Sequence, residues 1–299
     1  MSSIPPHRIA KLSGIGCSSK TPTYFLGRSH GFNSVHGRMP SVATGASVAN
    51  KNLIYIGISG DGDTASIGMG QFIHLIRRNV NMTYIVANNG CYGLTKGQDS
   101  ATADLGSVSK YGQENHFDGI DLASLALLQG ASFVARSFSG DKEQLEPLIR
   151  GAIAHKGFAF IDVISPCVTF ANHVGSTKSY SATRSNLDAM PLDFVPMREE
   201  IRTQYDPGTT QTVTMHDGSV IHLHKASKDY KTENRDAALM ASQSANEDGR
   251  ILTGLLYIDP NSQDLNQTLN LATTPLNELD NNELCPGSRV LKSINEGLR

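Results

Sequence analysis

From Arg8 to about Pro166 the chain alternates short runs of β-branched and aromatic residues with stretches of helical spacing, and this alternation limits the folds open to it. The apolar runs are IAKLSGIG, LIYIGISG (53–60), MTYIVANN (82–89), ASFVARSF (131–138) and FAFIDVIS (158–165). Each is bounded by Gly, Asn or Pro, as a strand buried on both faces would be. Between them lie ASIGMGQFIHLIRRNV, DLASLALLQG and GDKEQLEPLIRGAIAHKG, with Asp121 and Asp141 placed to begin helices. The pattern predicts an α/β fold, a doubly wound parallel sheet, with ligands beyond the carboxyl ends of its strands.

The character changes after Pro166. A polar, irregular stretch is followed by TVTMHDGSVIHLHK, which alternates around Asp217-Gly218 and predicts a β-hairpin with a type I′ turn. The reading is an α/β domain over 1–170 and, over 171–299, an irregular extension that packs on the core or on a partner, since its apolar content is thin for an independent domain. A formal net charge of -2 implies no general attraction to nucleic acid or to an anionic membrane. No apolar run approaches the roughly 18 residues of a membrane span, and MSSIPPHRIA lacks the apolar core of a signal peptide, so a cytoplasmic protein is expected. Cys17, Cys91, Cys167 and Cys285 are too scattered for a disulfide framework and read as reduced thiols or metal ligands.

The sharpest local feature is Gly60-Asp61-Gly62-Asp63, directly after one predicted strand, with Asn88-Asn89 directly after the next. Glycines let a backbone approach a diphosphate closely. A carboxylate and an amide oxygen are hard ligands suited to Mg²⁺ shared with phosphate oxygens. GDG followed by NN is the pattern of thiamine diphosphate enzymes. A helix after GDGD would also aim its N–H groups at the diphosphate.

SGIGCS (13–18), HGRMPSVATG (36–45), SGDGD (59–63), RRNVNMTYI (77–85), NNGCYGLTKGQ (88–98), FVARSFSGD (133–141) and KGFAFIDVISPCVTF (156–170) extend that likeness. In order and spacing they resemble the β subunit of 2-oxoacid:ferredoxin oxidoreductases, nearest to the enzymes that use 2-oxoglutarate. The resemblance implies a heteromer with a separate α subunit. It further implies thiamine diphosphate, Mg²⁺ and a four-iron four-sulfur cluster as cofactors, with 2-oxoglutarate and coenzyme A as substrates and ferredoxin as electron acceptor. It assigns Asp61, Asn89 and the main-chain carbonyl of Cys91 to Mg²⁺. Ile15, Gly16, Cys17, Ser18, His36, Gly60, Gly62, Asp63, Gly93 and Leu94 are assigned to the cofactor pocket. Lys20 and Lys96 are the cations available for a distal substrate carboxylate, and surface lysines would read the same way. His36 is equally accounted for as a core histidine.

By the same resemblance Cys17 and Cys167 match two ligands of the cluster, which takes four thiolates. The family's CPGCG pair is missing ahead of SGIGCS, and Cys91 and Cys285 do not replace a C-x-x-C by spacing. The expectation is a truncated or mis-started N-terminus and no intact cluster on this chain. Buried apolar thiols are the alternative for Cys17 and Cys167. Three other functions stay open: the same reaction on pyruvate or a branched 2-oxoacid, a non-redox thiamine diphosphate enzyme, and a non-catalytic subunit of the same fold.

Overall fold

The computed structural model describes residues 4–93, 95, 97–108, 112–165, 201–215, 220–285 and 287–298. All five predicted strands are present: β1 (Ile9–Ser13), β3 (Ile54–Gly60), β4 (Met82–Asn88), β7 (Phe133–Phe138) and β8 (Phe158–Ile164). They join β2 (His30–Asn33), β9 (Thr210–Thr214), β10 (Val220–Lys225) and β11 (Ile251–Ile258) in one nine-stranded sheet of order β2-β1-β3-β4-β8-β7-β11-β10-β9. From β2 to β7 every neighbouring pair is parallel. β11 then runs antiparallel to β7, and β9 antiparallel to β10. The sheet is therefore mixed and mostly parallel, within the α/β class.

Helices cover both faces, as strands apolar on both sides require. Against one face pack α2 (Met39–Ala49), α3 (Met69–Arg77), α4 (Leu122–Leu128) and α6 (Arg235–Glu247). Phe72 of α3 is fully buried among Tyr84, Phe158 and Phe160, its ring 5.1 Å from that of Phe160. Phe72, Leu75 and Ile76 follow the i, i+3, i+4 spacing of a buried helical stripe. On the other face α5 (Lys142–Ala154) sets Leu145, Leu148, Ile149 and Ala152 against Phe133, Ala159 and Ile161. Asp121 and Asp141 cap α4 and α5 through their side chains, as their positions predicted. Among the described residues no helix is long and apolar enough to cross a membrane.

The chain leaves β1 toward β2 on one side and returns to β3 on the other, so the strand order reverses between β1 and β3. In open α/β sheets such a switch point opens a crevice at the carboxyl ends. The loops after β1 and β3 meet there: Gly60 N donates to Ile15 O at 3.0 Å, and Gly14 N to Ile58 O at 3.1 Å.

Two features differ from the sequence reading. The stretch predicted as one helix after GDGD is a single wide π turn, Gly62–Ile67, followed by α3. The break falls at Gly68, where the loop carrying Gly37 passes so closely that a Cβ on Gly37 would stand 2.9 Å from the Gly68 backbone. The C-terminal part is more regular than expected. Besides the predicted pairing of β9 with β10, it supplies α6 and an eight-residue β11 that hydrogen-bonds directly to β7, so it packs on the core. The turn predicted at Asp217-Gly218 lies outside the described residues.

Asp121 links three elements. It caps α4, pairs with Arg136 of β7 and accepts from Asn246 Nδ2 of α6 at 3.2 Å. Burial alone would raise its carboxyl, but the Arg136 guanidinium together with the Ser124 and Asn246 donors outweighs that and holds it well below the usual carboxylate range. A carboxyl depressed in the folded state stabilises the fold above its unfolded value, about 3.9, and loses that contribution as pH falls toward its folded value. We expect Asp121→Asn, which preserves the helix cap, to lower stability at neutral pH by about 1.5 to 3 kcal/mol. It should also flatten the acid limb of stability below about pH 4. Denaturant titration from pH 2 to pH 7 checks both; an unchanged acid limb would contradict the assignment.

Candidate functional site

Two carboxylates leave the end of β3 two residues apart, and both are almost wholly buried, Asp61 at 1% and Asp63 at 2% exposure. Asp63 is taken up by protein donors. Its Oδ1 accepts from Gly37 N at 2.6 Å, and its Oδ2 accepts from Ile15 N at 3.1 Å and from Ser59 Oγ at 2.6 Å. One side chain thus ties the loop after β1 and the loop before α2 to the end of β3. The fit leaves no room at Gly14, where a Cβ would stand 2.1 Å from Asp63 Oδ2.

Asp61 is held differently. Its Oδ2 accepts from the hydroxyls of Ser100 and Thr102, the latter at 2.6 Å, while among the described residues the Asn89 N–H reaches its Oδ1 at 3.5 Å, and its own backbone N–H also lies within reach of the carboxylate. Burial pushes this carboxyl up, and the Ser100, Thr102 and Asn89 donors offset that only in part. Among the described residues no protein cation contributes to its field. A buried carboxylate with one oxygen so lightly partnered has its lost hydration replaced only in part by the protein.

The segment after β4 brings the remaining groups in. Asn89 Oδ1 accepts from Cys91 N at 3.1 Å, which turns the chain into β5 (Cys91–Tyr92), paired antiparallel with β6 (Gln98–Asp99). The return strand carries Ser100 and Thr102 onto Asp61. Tyr92 donates its hydroxyl to Gly62 O at 3.0 Å, and its ring lies where a Cβ on Gly62 would be, 2.5 Å away. Glycine at 62 is thus required by packing. Gly16 has φ +106, a backbone that a side chain would strain.

The structure therefore brings together Ile15, Gly16, Gly60, Asp61, Gly62, Asp63, Asn89 and Cys91. Cys17 and Lys20 lie exposed on the 3-10 turn Cys17–Lys20, with half-buried Ser18 between them. His36 is exposed beside Gly37, so it is not a core histidine. Gly93 is buried, while Leu94, Lys96 and Cys167 lie outside the described residues. Ser59, Tyr92, Ser100 and Thr102 escaped the sequence reading. A hydroxyl that serves a carboxylate 39 or 41 residues away leaves no local periodicity or spacing to detect.

The family model described as the thiamine pyrophosphate enzyme C-terminal TPP binding domain matches residues 14–163. The chain is similar to a 2-oxoacid:ferredoxin oxidoreductase subunit beta from a Sulfolobus species, 41% identical over 190 residues. That match covers 63% of this chain and spans 62% of the Sulfolobus subunit. It is 33% identical over 243 residues to the 2-oxoglutarate synthase subunit KorB of Methanocaldococcus jannaschii, covering 80% of this chain and 77% of that subunit. Among solved structures, the 2-oxoglutarate:ferredoxin oxidoreductase from Magnetococcus marinus with 2-oxoglutarate, coenzyme A and succinyl-CoA bound superposes with a TM-score of 0.69 at 31% identity. That superposition covers 89% of this chain and 77% of that one.

Proposed function

Since the chain belongs to the β subunits of the 2-oxoacid:ferredoxin oxidoreductases, within the thiamine pyrophosphate enzymes, we propose that it binds thiamine diphosphate with Mg²⁺ at the β1/β3 crevice. There, with an α subunit, it serves the oxidative decarboxylation of 2-oxoglutarate to succinyl-CoA, with ferredoxin as electron acceptor. The observation that carries this reading is the buried Asp61 carboxylate beside Asn89, with no protein cation in its field among the described residues.

In this reading Asp61 and Asn89 hold the metal through side-chain oxygens, and Cys91 through its carbonyl. Mg²⁺ then takes its remaining oxygens from the diphosphate and water. Gly60 and Gly16 let the loops after β3 and β1 close on one another beside the phosphates, Gly62 makes room for Tyr92, and Asp63 fixes the loops of Ile15 and His36 around them. When bound, the cofactor supplies the carbon nucleophile for the keto group and a sink for the electrons that departing CO₂ leaves behind. Lys20, exposed on the turn Cys17–Lys20, is proposed to meet a distal substrate carboxylate, and Lys96 is proposed for the same task.

The thiols support no such assignment. A four-thiolate set would need all four cysteines of the chain. Among the described residues no three His, Cys, Asp or Glu side chains converge, and Cys17, Cys91 and Cys285 are all described. The spacing of the four cysteines in the sequence leaves open, as a second reading, a subunit that binds thiamine diphosphate without a cluster held by this chain alone.

We expect Asp61→Ala to weaken binding of thiamine diphosphate in the presence of Mg²⁺ at least 100-fold, about 2.7 kcal/mol. Calorimetric titration measures this, and wild-type affinity would remove the proposal. In the assembled enzyme Lys20→Met should raise KM for 2-oxoglutarate roughly tenfold, about 1.4 kcal/mol, with little change for pyruvate. Equal losses on both substrates would exclude a role in selecting the dicarboxylate.

A further inference from the structure

Arg136 on β7 and Asp162 on β8 stand at paired positions of the sheet, and Arg136 Nε donates to Asp162 Oδ2 at 2.9 Å. Both side chains are buried, at 5% and 1% exposure. Stability alone does not account for such a pair, because two apolar residues of the same volume usually hold a core as well or better. The pair does, however, have an outlet toward the site. Asp162 Oδ1 accepts from Asn88 Nδ2 at 3.2 Å, Thr102 Oγ1 lies 3.0 Å from Asn88 Oδ1, and the same Thr102 oxygen lies 2.6 Å from Asp61 Oδ2.

We infer that Asp162, anchored by Arg136, is a positioning residue for the metal–diphosphate site, acting through Asn88 and Thr102 on Asp61 and Asn89. The inference rests on the reading of Asp61 and Asn89 as metal ligands. An ionised carboxylate only accepts hydrogen bonds, so Asp162 dictates that the amino end of the Asn88 amide faces it and the carbonyl end faces Thr102. Asn88 is then fixed at the last residue of β4, and Asn89, the next residue, starts its turn from a fixed point. On the other side the single Thr102 hydroxyl proton is shared between two acceptors, Asn88 Oδ1 and Asp61 Oδ2, and its shorter contact with Asp61 sets the rotation of that carboxylate and the direction of its open oxygen. With asparagine at 162 the facing group can donate or accept, and the Asn88 amide loses its set orientation. Groups that orient a metal ligand without touching the metal typically account for 10- to 100-fold in metal affinity.

The test uses the full chain saturated with thiamine diphosphate, with Mg²⁺ titrated by calorimetry and the thermal midpoint recorded without ligands. Asp162→Asn should raise the Kd for Mg²⁺ by roughly 10- to 100-fold. Added to Thr102→Val, which cuts the same line nearer the metal, it should change Kd by less than about threefold, because residues on one line are not additive. If Asp162→Asn does not fold, the triple variant Asp121→Asn/Arg136→Met/Asp162→Leu leaves no stranded carboxylate of the Arg136 cluster and should still lose metal affinity. Unchanged Mg²⁺ affinity in the variant that folds, or losses that multiply fully with Thr102→Val, would overturn the inference. Wild-type binding in Asp61→Ala would instead remove the metal site itself. A loss there beside an unchanged Asp162→Asn overturns the positioning role alone.

Discussion

The structure turns on the burial of two carboxylates at the end of one strand. Removing an ionised group from water is costly unless protein donors or a metal replace the lost hydration. Asp63 meets that cost within the chain, taking N–H groups from Ile15 and Gly37 and the hydroxyl of Ser59, and so it fixes the loops that form the crevice. Asp61 meets it only on one side, through Ser100 and Thr102. Among the described residues its other oxygen has one long contact, to Asn89 N, and the proposed cation site rests on that asymmetry. The sheet topology, the wide turn at Gly62–Ile67 and the ribbon of β5 and β6 all serve to bring these donors to one place.

The five strands of the parallel part were legible in the sequence because strands buried on both faces carry an apolar pattern, and because glycines and asparagines mark where they end. Asp121 and Asp141 announced their helices by side-chain chemistry alone. The elements that stayed hidden have weaker local signals. β2 is HGFN, exposed at every position, and forms only because β1 offers it an edge. α6 buries Ala238, Ser242 and Ala245, a stripe too small and too polar to read as apolar periodicity. In the site, the hidden parts are those whose partners are distant in sequence. Arg136 and Asp162 did leave a trace, as opposite charges inside two apolar strand runs, but their pairing depends on β7 and β8 being neighbours.

The C-terminal segment is joined to the site's support. Asn246 of α6 donates to Asp121, which pairs with the same Arg136 that anchors Asp162. Ser242 of α6 and Ser124 of α4 meet at 3.1 Å, and β11 extends the sheet beyond β7. The part of the chain that reads as an extension is thus a structural neighbour of the proposed cofactor site. Burial of so many charged and polar groups within a few residues of one another is what a preorganised binding site requires, since each donor is fixed before the ligand arrives.

The most direct measurement is the position of the metal itself. Mn²⁺ in place of Mg²⁺, with thiamine diphosphate, gives an anomalous scattering peak that a crystal of the chain would locate without reference to any alignment. A peak within coordination distance, about 2.0–2.3 Å, of Asp61 Oδ1 and Asn89 Oδ1 is the predicted result. A peak elsewhere, with Asp61 still held only by Ser100, Thr102 and Asn89, would contradict the account.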